Sequence, residues 1–197
     1  NYNPETVTEL PASVYDLADS SWKGRIGIAP TNSSFQAFVT AMRVLDGDQK
    51  TLEWLEAMKV NAVLFEKNGA ILEAVEAGQI DAGLINHYYW FARAQEVGLE
   101  YMKSALGQFQ AADAGNLINA AGVGILNDSA AARKFVEYLL SETGQTYFAE
   151  ETREYPLVSG VDPADQLTPL SEIPAPKVDL SDLSSLERTL ELIRQAG

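Results

Sequence analysis

Short apolar runs alternate with polar helix starts through the first half of the sequence, and each run ends directly at a helix start. Three such junctions occur, at residues 24–34, 63–68 and 79–86. Apolar runs of this length are typical of buried strands, and the Asn and Ser residues that follow are typical of helix N-termini. Strands that alternate with helices form a layered α/β domain, so this is the fold class that we predict.

The second half of the sequence shows the same rhythm less clearly. We predict a strand at residues 117–126, although its two glycines weaken the pattern, and a helix at 128–140 that Asp128 caps. Prolines and short polar residues predict a long irregular connection over 155–182. The final helix is predicted to begin with a capping box at 184–187.

Charge and composition exclude several classes of function. The formal net charge of the 197 residues is −14, which argues against nucleic acid and anionic membrane surfaces as partners. The chain has no cysteine, so disulfides, zinc–thiolate sites and a cysteine nucleophile are excluded. No run of about 18 apolar residues occurs, and we therefore predict that the chain is not membrane-spanning.

The three junctions carry similar polar side chains. They are Thr31-Asn32-Ser33-Ser34, Lys67-Asn68-Gly69-Ala70 and Asn86-His87-Tyr88-Tyr89. In an open α/β sheet, ligands bind beyond the carboxyl ends of the strands, where helix N-termini attract anions. The three junctions together therefore predict an anion-binding cradle. Each junction taken alone is better explained by ordinary helix capping, with Asn68 as the cap of its helix.

Two adjacent tyrosines, Tyr88 and Tyr89, stand at the third junction. Neighbours on a helix diverge by about 100°, so one hydrophobic core cannot easily take both rings. Paired phenolic oxygens suit a hard, highly charged cation, because such cations prefer oxygen ligands. An aromatic patch continued by Trp90 and Phe91 explains the pair equally well. The single histidine, His87, is a candidate ligand or base, although a lone histidine is more often a surface or structural residue.

Trivalent iron gives the cation hypothesis a specific form. Free tyrosine titrates near about pH 10, and an adjacent cation strongly favours the phenolate. Two phenolates leave a net positive charge on ferric iron. An exogenous anion held at the helix N-termini would complete the coordination of the iron and lower that charge.

Three stretches of the sequence resemble a known family. They are APTNSSFQAFVTAMRVL, KNGAILEAVEAGQIDAGLINHYYW and FVEYLLSETGQTYFAEETREYPLV. They look like the bacterial ferric-iron-binding solute receptors of ABC importers, also called periplasmic ferric-binding proteins or bacterial transferrins. The resemblance covers essentially the whole chain, and the NHYYW segment after a strand is its most specific part. It implies a periplasmic binding protein type II-like α/β fold, with two lobes and the ligand in the cleft between them.

The resemblance also implies the residues of the site. Tyr88 and Tyr89 would both bind Fe³⁺. A synergistic anion, phosphate or carbonate, would be bound by the first helix start and by two asparagines, which correspond to Asn32, Ser33, Ser34, Asn68 and Asn86. Ser33 stands where the family often has Gly or Ala, so a backbone role is implied for it. His87 is not a ligand in the family.

Members of this family are about half as long again as this chain. The resemblance implies one nearly complete lobe plus part of the other: residues 1–118 form the second lobe, 119–169 return to the first lobe, and 170–197 cross back. The N-terminal part of the first lobe would be absent, with the His and acidic ligands that many members contribute. Because the chain begins at Asn1 without Met, we expect a processed or trimmed product.

The preferred hypothesis is a binding protein, not an enzyme. It would capture ferric iron in the periplasm or elsewhere outside the cytoplasmic membrane, free or lipid-tethered, and deliver it to an ABC transporter permease. An alternative is a solute-binding protein that binds an oxyanion or a small organic ligand without metal.

Two further hypotheses stay open. An α/β enzyme has little support, because no Gly-x-Ser-x-Gly elbow, P-loop or Gly-x-Gly-x-x-Gly fingerprint occurs and a catalytic triad would need His87. The other is an inert fragment in which residues 119–169 expose apolar surface or pair with a second copy.

Overall fold

A parallel three-stranded sheet lies at the centre of the first part of the chain. The computed structural model describes residues 1–197, and the strands are β1, Ile26–Ile28; β2, Ala62–Leu64; and β3, Ala82–Gly83. Their order is β2-β1-β3, and both outer strands run parallel to β1. The α/β class predicted from the sequence is confirmed.

The first residues of the chain extend this sheet on the β3 side. Tyr2 bridges both Ala82 and Ala105 in the antiparallel sense. Its N–H donates to the Ala105 carbonyl at 2.9 Å, and its carbonyl accepts the Ala105 N–H at 2.9 Å. A segment from the start of the chain therefore lies between two segments that come much later in the sequence.

Seven α-helices accompany the sheet. Their bounds are α1, Ser33–Asp46; α2, Asp48–Asn61; α3, Asn68–Glu76; α4, His87–Val97; α5, Ala130–Leu139; α6, Glu142–Tyr147; and α7, Leu186–Ala196. A π-helix, Phe148–Thr152, continues α6. None of the helices is both long enough and apolar enough to cross a membrane.

The chain divides into two compact units. Unit 1 comprises Asn1–Asn119 and Pro174–Gly197, and unit 2 comprises Ala120–Ile173. The sheet, α1 to α4 and α7 belong to unit 1, whereas α5, α6 and the π-helix belong to unit 2. All the site residues predicted from the sequence therefore lie in unit 1.

An aromatic cluster anchors α1 to α2. The Trp54 ring packs against Phe35 and Phe38, with ring centroids 6.3 and 5.6 Å away. The indole N–H of Trp54 donates to the Val14 carbonyl at 2.9 Å, so burial leaves this group with a partner. Burying side chains of this size stabilises a fold by about 1.5–3 kcal/mol each.

The last helix, α7, packs on α1 and α2 and buries Thr189 and Leu192. The capping box predicted at 184–187 does not form. Ser185 is the N-cap, and no side chain caps the helix. Instead the Ser185 hydroxyl accepts Nη1–H of Arg43 at 3.2 Å, so a contact with α1 replaces the local cap.

Two strand predictions need correction. The strand predicted at 79–85 comprises only Ala82–Gly83, the two residues in register with β1. The turn before it, where Gly78 has a φ of +69°, delays its start. The strand predicted at 117–126 is wrong, since this stretch contains no strand and is largely exposed. The sheet contains only β1, β2 and β3, so this stretch has no strand partner, and its two glycines disfavour a ladder.

Two predicted caps are displaced by one residue. Lys67, not Asn68, is the N-cap of α3, and no side chain caps that helix. Asn68 is instead the first helical residue and is only 2% exposed. In α5 the N-cap is Ser129, whose hydroxyl accepts a first-turn N–H, while Asp128 pairs with Arg133. The side-chain amide of Asn68 is thus buried and does not cap its own helix. It donates to residues of other helix starts instead.

Unit 2 leaves much apolar side-chain surface exposed. Phe135 and Tyr138 of α5 are 60% and 53% exposed, and Leu157 is 65% exposed. The buried Gln145 supplies polar contacts instead, because its side chain donates to the Leu139 carbonyl at 2.8 Å and accepts the Leu157 N–H at 2.7 Å. Hydrogen bonds of this kind, more than a hydrophobic core, connect the segments of unit 2.

Candidate functional site

The three strand-to-helix junctions of unit 1 meet through their side chains. Nδ2 of Asn68 donates to Oδ1 of Asn86 at 2.9 Å and to the Ser34 hydroxyl at 3.4 Å. Ser34 donates its hydroxyl and its N–H to Oδ1 of Asn32, at 3.0 and 3.1 Å. A continuous series of hydrogen bonds therefore joins the N-termini of α1, α3 and α4. We call Asn32, Ser34, Asn68 and Asn86 the amide network.

The polarity of the amide network follows from its bonds. Asn86 accepts through Oδ1, so its Nδ2 remains a donor, and the same holds for Asn32, which accepts two bonds from Ser34. First-turn N–H groups of a helix also lack intrahelical partners. The network thus presents donors at the helix N-termini, an arrangement that suits an anion.

Two glycines in the sheet allow α3 to approach closely enough for this contact. A Cβ atom on Gly83 would lie 2.0 Å from Cγ2 of Ile71, and one on Gly27 would lie 3.1 Å from the same atom. Ile71 is fully buried and follows Asn68 by about one turn, on the same face of α3. The glycines of β1 and β3 therefore let Ile71 pack against the sheet, which brings Asn68 to Asn86.

Tyr88 and Tyr89 lie in the first turn of α4 with their rings nearly stacked. The ring centroids are 4.7 Å apart, and the ring planes make an angle of 31°. Both residues are partly buried. The divergence expected for helix neighbours is therefore not observed, because the two side chains turn towards each other at the helix start. Two phenol groups stand side by side, next to the N-cap residue Asn86.

His87 precedes the tyrosine pair and packs on it. Its ring lies edge-on to Tyr88 with centroids 5.7 Å apart, and edge-on to Phe91 at 6.2 Å. Trp90 and Phe91 continue these contacts at 5.2 Å. The start of α4 is thus an aromatic patch and a phenol pair at once, so the two explanations of the sequence are compatible.

Trp90, directly after the pair, is anchored to Ser104. Its indole N–H donates to the Ser104 carbonyl and hydroxyl, each at 3.1 Å. The Ser104 hydroxyl donates to Glu76 at 2.5 Å, and the N–H groups of Lys103 and Ser104 donate to the same carboxylate at 2.9 Å. Burial alone would raise the pKa of Glu76, but the hydrogen bonds from Ser104 and Lys103 hold it below its usual range.

Sequence patterns give little indication of this contact among Glu76, Ser104 and Trp90. The three residues belong to separate segments, and none of them lies in a motif. The one available signal is Trp90, since a partly buried indole N–H usually finds a partner. The glycines of the sheet carry a similar signal, because a glycine inside a strand often marks a close approach.

Ser33 is the predicted anion-site residue whose side chain stays outside the amide network. It is exposed in the first turn of α1, where its backbone N–H is one of the groups without an intrahelical partner. Elsewhere, the structure brings no three His, Cys, Asp or Glu side chains together in a position to hold a metal ion.

A cavity of about 180 Å³ lies in unit 1 beside the amide network. Ser34, Asn68 and Asn86 line its polar side, and Phe35 and Phe109 are among its apolar lining residues. An engineered apolar cavity of about 150 Å³ accepts benzene, so this one has room for a small organic group. Within this cavity, hydrogen-bond donors of the amide network therefore lie next to an apolar wall.

One protein family matches nearly the whole chain. The family described as bacterial extracellular solute-binding protein matches residues 1–185. The chain belongs to this family. In this solute-binding protein, the amide network and the tyrosine pair follow the carboxyl ends of parallel strands, which is where open α/β sheets bind ligands.

Individual relatives show how far the likeness extends. The Fe(3+)-binding periplasmic protein of Serratia marcescens is 36% identical over 202 residues, which cover 100% of this chain and 60% of that protein. The crystal structure of iron-bound HitA from Pseudomonas aeruginosa has a TM-score of 0.94 and 35% identity, over 100% of this chain and 65% of that one. A Trichodesmium protein (IdiA, FutA) in complex with iron and citrate has a TM-score of 0.76 and 27% identity, over 100% of this chain and 66% of that one.

These matches identify the fold and show how much of a relative's length this chain spans. They confirm the periplasmic binding protein type II-like fold predicted from the sequence. This solute-binding protein spans 60% of the length of its Serratia relative.

Proposed function

We propose that this solute-binding protein binds ferric iron through Tyr88 and Tyr89, with a synergistic anion bound by the amide network. The observation that carries the proposal is the nearly stacked tyrosine pair beside that network. The relatives support it: the Serratia marcescens protein is named as Fe(3+)-binding, and HitA was crystallised with iron.

The tyrosine pair and the amide network would have different roles: the tyrosines bind the cation, and the amide network binds the anion. Phenolate oxygens are hard anionic ligands, and a bound Fe³⁺ favours the ionised form of the phenols. One iron with two phenolates keeps a net positive charge. The donors of Asn32 and Asn86, with the first-turn N–H groups that include that of Ser33, would hold phosphate or carbonate against the iron and lower its charge.

The remaining parts of the proposal concern the rest of the protein. Residues 1–118 and 170–197 would form the second lobe, and 119–169 would belong to the first. Further iron ligands would come from the part of the relatives' length that this chain does not span. The relatives are solute-binding proteins, so we propose binding and delivery rather than catalysis, in the periplasm or another extracytoplasmic compartment, with an ABC transporter permease as the recipient of the iron.

Addition of ferric nitrilotriacetate to the purified chain in phosphate buffer tests the proposal. We expect a visible phenolate-to-iron absorption band. The band should disappear in the double variant Tyr88→Phe, Tyr89→Phe. It should persist in a control variant with Tyr101→Phe and Tyr147→Phe, since both of these tyrosines are exposed. A band of equal intensity in the Tyr88, Tyr89 variant contradicts the proposal.

A second candidate function is the binding of an organic anion without metal. The cavity of about 180 Å³ favours it, because donors of the amide network adjoin apolar walls there. The structure of the Trichodesmium relative in complex with iron and citrate indicates that an organic acid can accompany the metal in a related protein. Calorimetric titration with citrate, benzoate and phosphate in metal-free buffer separates the two candidates. Tight binding that ferric iron leaves unchanged favours the organic anion.

A further inference from the structure

The Glu76 carboxylate connects α3 to the segment that contains Lys103 and Ser104. It terminates α3, accepts the backbone N–H groups of Lys103 and Ser104 at 2.9 Å, and accepts the Ser104 hydroxyl at 2.5 Å. Three donors converge on one side chain that has no hydrogen to give when it is ionised. The contact therefore depends on a carboxylate, and an amide at this position would set its own N–H group against these donors.

The hydrogen bonds continue from Ser104 to the helix that carries the tyrosines. Ser104 has one hydroxyl hydrogen, which goes to Glu76, so its oxygen is an acceptor for Nε1–H of Trp90 at 3.1 Å. Ser104 is 5% exposed. Each hydrogen bond is therefore donated in the direction from Trp90 through Ser104 to Glu76. The negative charge of the Glu76 carboxylate strengthens the hydrogen bond that it accepts from Ser104.

Helix α4 buries few of its side chains completely. Ala94 is its single buried residue, so little hydrophobic burial resists rotation of the helix about its own axis. Arg93 pairs with Glu73 of α3 at 3.2 Å, but Glu73 is exposed and Arg93 only partly buried, and ion pairs near the surface contribute little. The indole of Trp90 thus provides a polar attachment of the first two turns of α4 to the rest of unit 1, in addition to the Asn68–Asn86 bond at the N-cap.

We infer that Glu76, acting through Ser104 and Trp90, is a positioning residue that sets the rotation of α4 and thereby the close pairing of the Tyr88 and Tyr89 rings. The inference rests on the proposed function for its consequence in iron binding. Its geometry rests on the hydrogen bonds that lead from Trp90 through Ser104 to Glu76. Without this attachment, α4 rolls and the two phenols no longer meet at one ion. Loss of such a supporting residue typically weakens metal binding by about 10–100-fold.

The first measurement uses the iron-free chain, with labelled tyrosine rings observed by NMR. Resonances of Tyr88 and Tyr89 are assigned by single Phe substitutions, and stacking at 4.7 Å should displace them from the resonance of the exposed Tyr101. Glu76→Gln should move both resonances towards that of Tyr101. The control Glu73→Gln, on the same helix, should leave them in place.

The second measurement is the ferric iron titration with the same variants. We expect Glu76→Gln to weaken iron binding by about tenfold or more, whereas Glu73→Gln stays close to the unsubstituted chain. If Glu76→Gln does not fold, Trp90→Phe provides the test, because it removes the N–H donor and keeps an aromatic ring, although a smaller one. The same resonance shifts and the same loss of affinity are expected for it.

The outcomes separate this inference from the proposed function. Unchanged tyrosine resonances in folded Glu76→Gln and Trp90→Phe overturn the inference, even if both variants are less stable. Displaced resonances in a chain that shows no iron band in any form support the positioning role and contradict iron binding. A normal iron affinity together with displaced resonances also overturns the inference, since the geometry would then not matter to the ion.

Discussion

The side-chain amide of Asn68 donates to Oδ1 of Asn86 at 2.9 Å, and this contact joins the first residue of α3 to the N-cap of α4. It determines which end of the Asn86 amide faces outward. Because Asn68 is almost fully buried, the donor cannot turn to water without loss. The anion-binding character of the site thus depends on a residue that need not touch the anion.

Asn68→Asp should reverse the orientation of the Asn86 side-chain amide. A carboxylate cannot donate to Oδ1 of Asn86, so the Asn86 amide must rotate and present its oxygen outward. We expect phosphate binding to fall by more than about tenfold and the free energy of unfolding to fall by about 1–3 kcal/mol. Calorimetric titration with phosphate and urea unfolding measure the two effects, and the exposed Asn127→Asp is the charge-matched control. Phosphate affinity equal to that of the control would contradict the prediction.

Gly83→Ala should push α3 away from the sheet. The new Cβ would lie 2.0 Å from Cγ2 of Ile71, so the unfolding free energy should fall by about 1–3 kcal/mol or more. In an Ile71→Ala background the same substitution should cost much less, and urea unfolding of the four chains gives the coupling. Gly122→Ala, which meets no atom within 4 Å, is the control. Equal costs in both backgrounds would rule out this clash as the cause.

The buried pair Thr40 and Thr189 should contribute unequally to the attachment of α7. The Thr40 hydroxyl donates to the Gln36 carbonyl at 2.8 Å, so Thr189 is the donor across the 2.7 Å contact, and it also accepts Nη1–H of Arg43 at 3.0 Å. Thr189→Val leaves a charged donor without this acceptor, and we expect it to cost more than Thr40→Val, each within about 1–3 kcal/mol. Urea unfolding measures both, with Thr189→Ser as the hydroxyl-retaining control. A larger cost for Thr40→Val would reverse the assigned direction.

Asp48 should contribute stability that acid removes. The hydrogen bond from Arg188, followed by that from Arg43, holds the pKa of Asp48 below its usual value. A lowered folded-state pKa means that the contribution is complete above the unfolded-state pKa and is lost as the pH falls through the folded-state pKa. Asp48→Asn should therefore make the unfolding free energy decline less steeply below about pH 4. Thermal unfolding across the acid range measures this slope, and a slope equal to that of the exposed Asp165→Asn control would contradict it.

Phe135 should promote association of the isolated chain. It is 60% exposed beside Tyr138 on α5, and exposed apolar patches favour self-association and dye binding. Phe135→Ser should reduce both, with a change in unfolding free energy of no more than about 0.5 kcal/mol. Sedimentation equilibrium and the fluorescence of a hydrophobic dye measure the effect, with Lys134→Ser as a neighbouring control. A clean monomer that binds no dye before substitution would contradict the prediction.

Much of the fold of unit 1 could be predicted because its signals are local. The strand at 24–30, the helix that starts after Asn32 and the helix that starts after Asn86 each follow from apolar periodicity and polar helix starts. The strand predicted at 117–126 failed because a strand also needs a partner, and that partner is not a local property of the sequence. Unit 2 was harder to predict for the same reason, since its apolar side chains do not meet a core within the chain.

The candidate site also has a part that follows from local sequence signals and a part that does not. Asn32, Ser34, Asn68 and Asn86 could be grouped because each follows a strand, and parallel strands deliver their carboxyl ends to one edge. The supporting contacts could not be grouped in this way. Glu76, Ser104 and Trp90 meet only through the packing of separate elements, and the inward turn of Asn68 overrides its local tendency to cap a helix.

The position of Tyr2 between β3 and Ala105 has a consequence for how the molecule is made. Synthesis releases Tyr2 before Ala82 and Ala82 before Ala105, so this part of the sheet cannot close until residue 105 has emerged. During that interval β3 has one unpaired side, and the apolar residues near it are accessible to other molecules. Pairing between segments so far apart in the sequence is therefore a late step in the folding of unit 1.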